Sequence, residues 1–313
     1  MTTAMQWVAA DFGGAEVLQQ RKVEIASPEH GEVTVAVRAV GMNPADYKHF
    51  GPGQDRSLLP LTVGYEVAGV VSSVGSQTPI ATGPVSVGDE VLVFQISDGY
   101  STMITVPADD VFAKPSGLSF PEAANLLLVG TTASEMIDAS GVTDGDTVLL
   151  HGAAGAVGNS ALQQLRLAGV TVVGTTSSDN FDTVRRFGGI PVEYGPGLAE
   201  RVRQAAPDGI SAALDTVGSD DAIDASLDLV EGPHRVVSIA GFARSGDGIV
   251  LLGAGNPGSG PYRARARGRI VSLAEAGDLV VPIDRTFPFD EARQAVERLS
   301  GRHPSGKIAL VVE

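Results

Sequence analysis

The segment Val148-Leu149-Leu150-His151-Gly152-Ala153-Ala154-Gly155-Ala156-Val157-Gly158 constrains this chain more than any other. A short apolar strand passes through a glycine-rich turn into a helix, the context that a dinucleotide-binding turn requires. Gly155 lets the backbone approach a diphosphate, and Gly158 lets the helix pack close to the sheet. The helix N-terminus offers N–H groups and the positive end of its dipole to the same anion. Ala153 stands where the first glycine of G-x-G-x-x-G is expected, with Gly152 just before it. Gly152, Ala153, Gly155, Ala156, Val157 and Gly158 are therefore the candidate cofactor cradle. An ordinary tight strand-to-helix turn is the plainer alternative.

The next strand, 170–175, tests which dinucleotide fits. An acidic residue about 20 positions past the turn would hold the ribose of NAD. Here the strand ends in Gly174-Thr175-Thr176-Ser177-Ser178, with no carboxylate before Asp179. Thr175 closes the strand, and Ser177 and Ser178 sit where a 2′-phosphate would lie. Arg185 and Arg186 follow on the next helix. The pattern favours NADPH over NADH, and only Asp179 opposes it. Ser177 and Ser178 also read as a helix N-cap, and Arg185 and Arg186 as a solvated helix face.

Strand and helix alternate from Thr147 onward: strands at 148–150, 170–175, 212–215 and 235–240, helices at 157–168 and 180–187. Strands with little internal polarity, separated by helices, indicate a parallel sheet covered on both faces. Residues 5–120 follow another grammar. Short strands at 33–37, 65–74 and 87–93 are broken by Gly64, Gly69, Gly75 and Gly88, as in a compact antiparallel barrel. Residues 122–140 read as one helix, with Pro121 in its first turn. The tail predicts one or two helices and a last strand at 307–312 that rejoins the first domain.

Composition excludes several functions. Lys and Arg number 22 against 37 Asp and Glu, a net charge of −15. That surface repels nucleic acid and anionic membranes. No apolar run approaches the roughly 18 residues of a membrane span, and the first residues show no signal-peptide pattern, so the cytosol is the expected compartment. There is no cysteine, and the five histidines, at 30, 49, 151, 234 and 303, show no ligand spacing. No metal is expected.

Further stretches carry a family resemblance. Gly41-Met42-Asn43-Pro44-Ala45-Asp46-Tyr47-Lys48 resembles G-x-N-P-x-D-x-K, and Gly64-Tyr65-Glu66-Val67-Ala68-Gly69-Val70-Val71 resembles G-x-E-x-A-G-x-V. Val87-Gly88-Asp89-Glu90-Val91 matches V-G-D-x-V, Gly130-Thr131-Thr132-Ala133 matches G-x-T-A, and Gly306-Lys307 matches a closing G-K. With the turn at 151–158, the chain resembles the zinc-independent quinone oxidoreductase branch of the medium-chain dehydrogenase/reductase superfamily. The resemblance implies an α/β fold: a GroES-like β-barrel catalytic domain (1–120 and 260–313) and a Rossmann doubly wound parallel-sheet cofactor domain (121–259), with the active-site cleft where they meet. Zinc-containing relatives carry Cys at the position of Asn43 and His at that of Tyr65; neither residue here is such a ligand.

The resemblance also implies roles. Asn43, Tyr47, Lys48 and Tyr65 are the catalytic candidates, as donors toward a substrate oxygen, with Asn43 also beside the cofactor. Asp46 reads as an acceptor of backbone N–H bonds in its own turn, and Lys307 as a structural cation. Thr132 resembles a nicotinamide contact and Tyr194 a neighbour of the adenosine phosphate. Ile239 and Ala240 offer backbone to the carboxamide, with Phe242 over the ring. His151 reads as closing its strand end. The expected function is NADPH-dependent hydride transfer to quinones or related α,β-unsaturated carbonyls. An enoyl-thioester reductase and a non-catalytic NADPH-binding protein are the alternatives. The resemblance further predicts a homodimer through an edge strand near Ile249-Val250-Leu251-Leu252.

Overall fold

The computed structural model describes residues 2–52, 55–253, 256–301 and 306–313. The chain forms two compact units, Met1–Leu128 with Gly268–Glu313, and Val129–Arg267. The division falls inside the helices Leu127–Ser140 and Ser259–Glu275, later than the change of grammar at Pro121. Packing explains the delay: Ala123, Ala124, Leu126 and Leu127 share a core cluster with Ala39, Ala68, Leu92 and Phe112. The single helix expected over 122–140 is broken, into Phe120–Ala123 and Leu127–Ser140. At the break, Asn125 Nδ2 donates to Pro121 O and Ile308 O. Gly41 allows the approach there, since a Cβ on it would lie 2.0 Å from Ala124 O.

The first unit is built on a three-stranded and a seven-stranded sheet. The central strand of the larger sheet, Glu32–Met42, pairs antiparallel with Glu66–Val74, Met103–Pro107 and Lys307–Val311. Its buried valines and those of its neighbours fill a core with Trp7, Phe50, Tyr100 and Phe289. The register sets Ile308 opposite Met42 and Gly41 opposite Glu66. Three residues far apart in sequence, Asn43, Glu66 and Lys307, thereby meet at one end of the sheet. Residues 268–313 belong to this unit, with the last strand paired to Glu32–Met42.

Among the described residues the second unit carries six strands, all parallel. In chain order they are Thr147–His151, Thr171–Thr176, Ile190–Glu193, Ala212–Asp215, Val236–Ser238 and Val250–Leu251. Their spatial order is third, second, first, fourth, fifth, sixth. That is the Rossmann order, which reverses between the first and fourth strands and leaves a crevice at their C-terminal ends. The third strand, and the helices Leu198–Ala205 and Asp220–Leu229, add to the elements read from the sequence. The edge strand Val250–Leu251 is only two residues long, flanked by the buried Ile249 and Leu252.

Candidate cofactor and active site

Backbone geometry makes the turn after the first parallel strand. Gly152 takes φ +73°, and a Cβ on it would lie 2.4 Å from Thr216 Oγ1. Gly155 caps the helix Ala156–Leu167, whose first-turn N–H groups have no partner within the helix. Gly158 is the tightest point: a Cβ there would sit 2.2 Å from Gly152 O and 2.8 Å from Ala153 Cα. The departure at Ala153 is compensated across the sheet. Its methyl is fully buried, and a Cβ on Gly174 would come within 2.7 Å of it. Gly174 leaves the space that the missing turn glycine would have left.

Beneath this turn lies a buried polar network. Ser226 Oγ donates to Ala222 O at 2.8 Å, so it accepts from His151 Nε2 at 2.9 Å. His151 Nδ1 is then the acceptor for Thr175 Oγ1, at 3.2 Å. Burial drives the imidazole down to about 4, against the opposing pull of the Asp215 charge. Asp215 accepts from the N–H groups of Val217 and Gly218 and from Ser238 Oγ. Ser238 Oγ in turn accepts from Ala240 N and Gly241 N. One carboxylate and one hydroxyl thus fix the two turns after the fourth and fifth strands, which carry Ile239, Ala240 and Phe242. Sequence reading missed Asp215 and Ser238 in this role. The only local signal was a polar residue ending an apolar strand.

His151 sets a pH dependence. Its folded pKa lies below the unfolded value, so between about 6.5 and about 4 only the unfolded chain binds the proton. Its contribution to stability is complete above that window and is lost as pH falls through it, by roughly 3 kcal/mol at the limit. Urea unfolding of the wild type and His151→Gln should show the wild type losing its advantage between pH 7 and pH 4.5. A gap that stays constant with pH defeats the prediction.

The remaining cofactor candidates cluster at the C-terminal rim of the same sheet. Ser177 is half-buried and accepts from Asn180 Nδ2, while Ser178 and Asp179 are exposed. Arg185 pairs with Asp182 at 3.0 Å, both exposed. Tyr194 is 60% exposed, Val217 51% and Phe242 54%. These large apolar groups stand in solvent just past the ends of the third, fourth and fifth strands, where a flat apolar ligand would cover them. Arg201, not anticipated from sequence, donates to the carbonyls of Glu193, Gly195 and Pro196 and so shapes the loop that carries Tyr194. Thr132 is buried in its helix.

In the first unit, Asn43, Asp46, Glu66, Tyr100 and Lys307 form a buried cluster. Asn43 caps the helix Pro44–His49, and Asp46 Oδ2 returns to Asn43 N at 2.8 Å, completing a capping box. Asn43 Nδ2 donates to Glu66 Oε1 at 2.9 Å, and Lys307 Nζ donates to Asn43 Oδ1 and Met42 O. Lys307 and Glu66 are 3.5 Å apart, and Glu66 Oε2 accepts from Leu128 N. The amide of Asn43 is thus committed at both atoms, and its place is to hold this end of the sheet. Burial lowers the Lys307 ammonium, with Glu66 and Asp46 opposing the shift. Burial raises the Asp46 carboxyl to about 7, while the bond from Asn43 N and the Lys307 charge pull it down.

The short helix sends its side chains two ways. Tyr47 and Lys48 line an apolar cavity of about 300 Å³ with Gly13, Phe50 and Val296. Asp46 and His49, three residues apart, line a second cavity of about 40 Å³ with Thr62, Tyr65 and Ser97. Tyr65 therefore shares a cavity with Asp46, and Tyr47 and Lys48 share another. Burial and the Asp46 charge raise the Tyr65 phenol, which keeps it a proton donor at neutral pH.

Residues 29–116 match the family described as alcohol dehydrogenase GroES-like domain, and residues 191–310 the family described as zinc-binding dehydrogenase. The mouse synaptic vesicle membrane protein VAT-1 homolog is 30% identical over 341 residues, spanning 97% of this chain and 82% of its own length. The quinone oxidoreductase of Pseudomonas aeruginosa is 30% identical over 323 residues, spanning 96% and 98%. The solved Escherichia coli quinone oxidoreductase complexed with NADPH has a TM-score of 0.83 at 25% identity, covering 98% of this chain and 99% of that one. The CurK enoyl reductase also reaches 0.83 at 25% identity, covering 99% of each. A GroES-like unit and a Rossmann unit in one chain define a nicotinamide-dependent oxidoreductase. The chain belongs to the zinc-independent quinone oxidoreductase branch of the medium-chain dehydrogenase/reductase superfamily.

The donor set does not fit zinc. Among the described residues no three His, Asp or Glu side chains gather as ligands, and the chain has no cysteine. Asn43 Oδ1 already faces an ammonium, which would repel a second cation. His303 lies outside the described residues. Among those residues, too, no helix is long and apolar enough to cross a membrane.

Proposed function

We propose that this chain is an NADPH-dependent reductase that passes hydride to quinones or related α,β-unsaturated carbonyls without a metal. The carrying observation is the glycine cradle at 152–158 followed by a second strand that ends in hydroxyls. When bound, NADPH supplies the hydride; the protein orients, excludes water and meets developing charge. The first-turn N–H groups of Ala156, Val157 and Gly158 hold the diphosphate. Ser177 and Ser178 donate to the 2′-phosphate, Arg185 adds charge beside it, and Tyr194 covers the adenosine end. Thr132, the backbone of Ile239 and Ala240, and the ring of Phe242 hold the nicotinamide end. Tyr65 on one cavity, or Tyr47 and Lys48 on the other, are the donors available to a substrate oxygen, a good donor contributing about 3 kcal/mol to the transition state. Pairing of two copies along the edge strand Val250–Leu251 belongs to the same proposal.

The test is loss of absorbance at 340 nm with NADPH or NADH and a benzoquinone, a naphthoquinone, a simple enone and an enoyl-thioester. Fast NADPH oxidation by a quinone or enone is the expected result. Ser177→Ala with Ser178→Ala should weaken NADPH binding roughly 10-fold or more, the worth of a hydrogen bond to a charged group, and leave NADH unchanged. Equal loss for both cofactors overturns the 2′-phosphate assignment. Turnover confined to the enoyl-thioester favours the second reading, which the likeness to the CurK enoyl reductase supports. Tight NADPH binding without any turnover makes the chain a binding protein.

A further inference from the structure

The small cavity beside Tyr65 has an unusual wall. Asp46 is 1% exposed. Its Oδ2 accepts from Asn43 N and from Tyr100 Oη at 3.1 Å. Its Oδ1 is buried and has no hydrogen-bond partner. A buried carboxylate oxygen left bare is costly, and the same oxygen carrying a proton needs one acceptor, which a water in the adjoining cavity can supply. The same carboxyl lines the cavity with His49, Tyr65 and Ser97, and about 40 Å³ has room for a water.

Charge balance points the same way. Asp46 faces Lys307 and Glu66 from two strands, Tyr100 from the loop before Met103–Pro107, and Tyr65 across the cavity. One buried cation stands against two buried carboxyls. Glu66 takes the ammonium, the Asn43 amide and the Leu128 N–H. Asp46 is left with two donors on one oxygen and none on the other. Of the two carboxyls, Asp46 is the one whose surroundings oppose the charged form more.

We propose that Asp46 stores the proton taken up by the reduced substrate and releases it through a water in this cavity, past Tyr65 and His49. The proposal rests on the reductase reading and deepens it. Hydride addition to a conjugated carbonyl leaves a negative oxygen. The O–H bond of Asp46 breaks as the water gains that proton and gives one of its own to the substrate oxygen. A carboxylate remains, and solvent reprotonates it before the next turnover. Asp46 acts through the water and Tyr65, so it is a proton-holding and positioning residue.

Two measurements test this. In the wild type, the carboxylic C=O band assigned to Asp46 by its loss in Asp46→Asn should fade in infrared difference spectra as pH rises through about 7. Over the same range kcat with a quinone or enone should fall. Asp46→Asn keeps an acceptor for Asn43 N; it should lower kcat about 100-fold, as loss of a general acid does, and abolish the inflection, with NADPH affinity unchanged. A wild-type band absent already at pH 6, a flat kcat profile, or a variant that keeps both rate and inflection overturns the proposal. The wild-type kcat profile decides it even if the variant does not fold, since a rate that does not change as pH rises through about 7 overturns the proposal by itself. No turnover with any acceptor sinks the reductase reading and this proposal together, whereas unaltered turnover in the variant sinks this proposal alone.

Discussion

Replacing Lys307 with methionine should cost about 3–5 kcal/mol, the penalty for removing one partner of a buried ion pair. Lys307 is 4% exposed and donates to Met42 O and Asn43 Oδ1 while facing Glu66. Methionine fills much the same volume but leaves one carboxylate without its cation and two oxygens without their donor. Against a typical total of about 5–15 kcal/mol, that loss approaches unfolding of the unit. The chain's single tryptophan, Trp7, reports on this unit, since it is buried in the same core and donates to Phe289 O. Urea unfolding followed by its fluorescence therefore reads the change where it occurs, without mixing in the Rossmann unit. The double variant Lys307→Met with Glu66→Gln should recover part of the loss, because it removes the unpaired charge. A single variant within about 1 kcal/mol of the wild type would show that the pair is not structural.

The same pair shows what a sequence reveals and what it withholds. The helix start at Asn43-Pro44-Ala45-Asp46 is local, and its capping box follows from residues three apart. The strand, turn and helix at 147–167 are equally local, as are the glycines that the backbone requires there. Glu66 and Lys307 are 241 residues apart, and only the strand register joins them. Lys307 reads as a structural cation in the sequence, but nothing local names its partner. The split of the 44–49 helix into two cavities depends on what packs against each face. The third strand, Ile190–Glu193, also escapes a local reading, because it is four residues long, contains Pro191 and lies at the sheet edge. Asp215 and Ser238 look like ordinary strand ends until the parallel register places them side by side.

The cofactor turn supports the second large prediction, a contrast between two glycines three residues apart. Gly158→Val should abolish measurable NADPH binding and destabilise the Rossmann unit by about 1–3 kcal/mol or more, the cost of overpacking a fixed backbone contact. Its Cβ would lie 2.2 Å from Gly152 O and 2.8 Å from Ala153 Cα, and both atoms belong to the cradle itself. Relief requires the helix Ala156–Leu167 to move off the sheet, and the first-turn N–H groups proposed to hold the diphosphate move with it. Gly155→Ala meets only Gly152 O, at 3.1 Å, and Gly155 has φ −72°. That variant should lose far less stability than Gly158→Val. Any loss of NADPH affinity in it would then reflect the methyl standing where the diphosphate approaches. Titration of NADPH fluorescence, paired with thermal unfolding, separates the two effects. The Ala153 compensation gives an internal control. Gly174→Ala should destabilise the unit, since its Cβ would come within 2.7 Å of the Ala153 methyl and 3.1 Å of Val184 Cγ1, and adding Ala153→Gly should recover part of the loss. Equal binding losses in Gly155→Ala and Gly158→Val, both without loss of stability, would contradict this division between contact and scaffold.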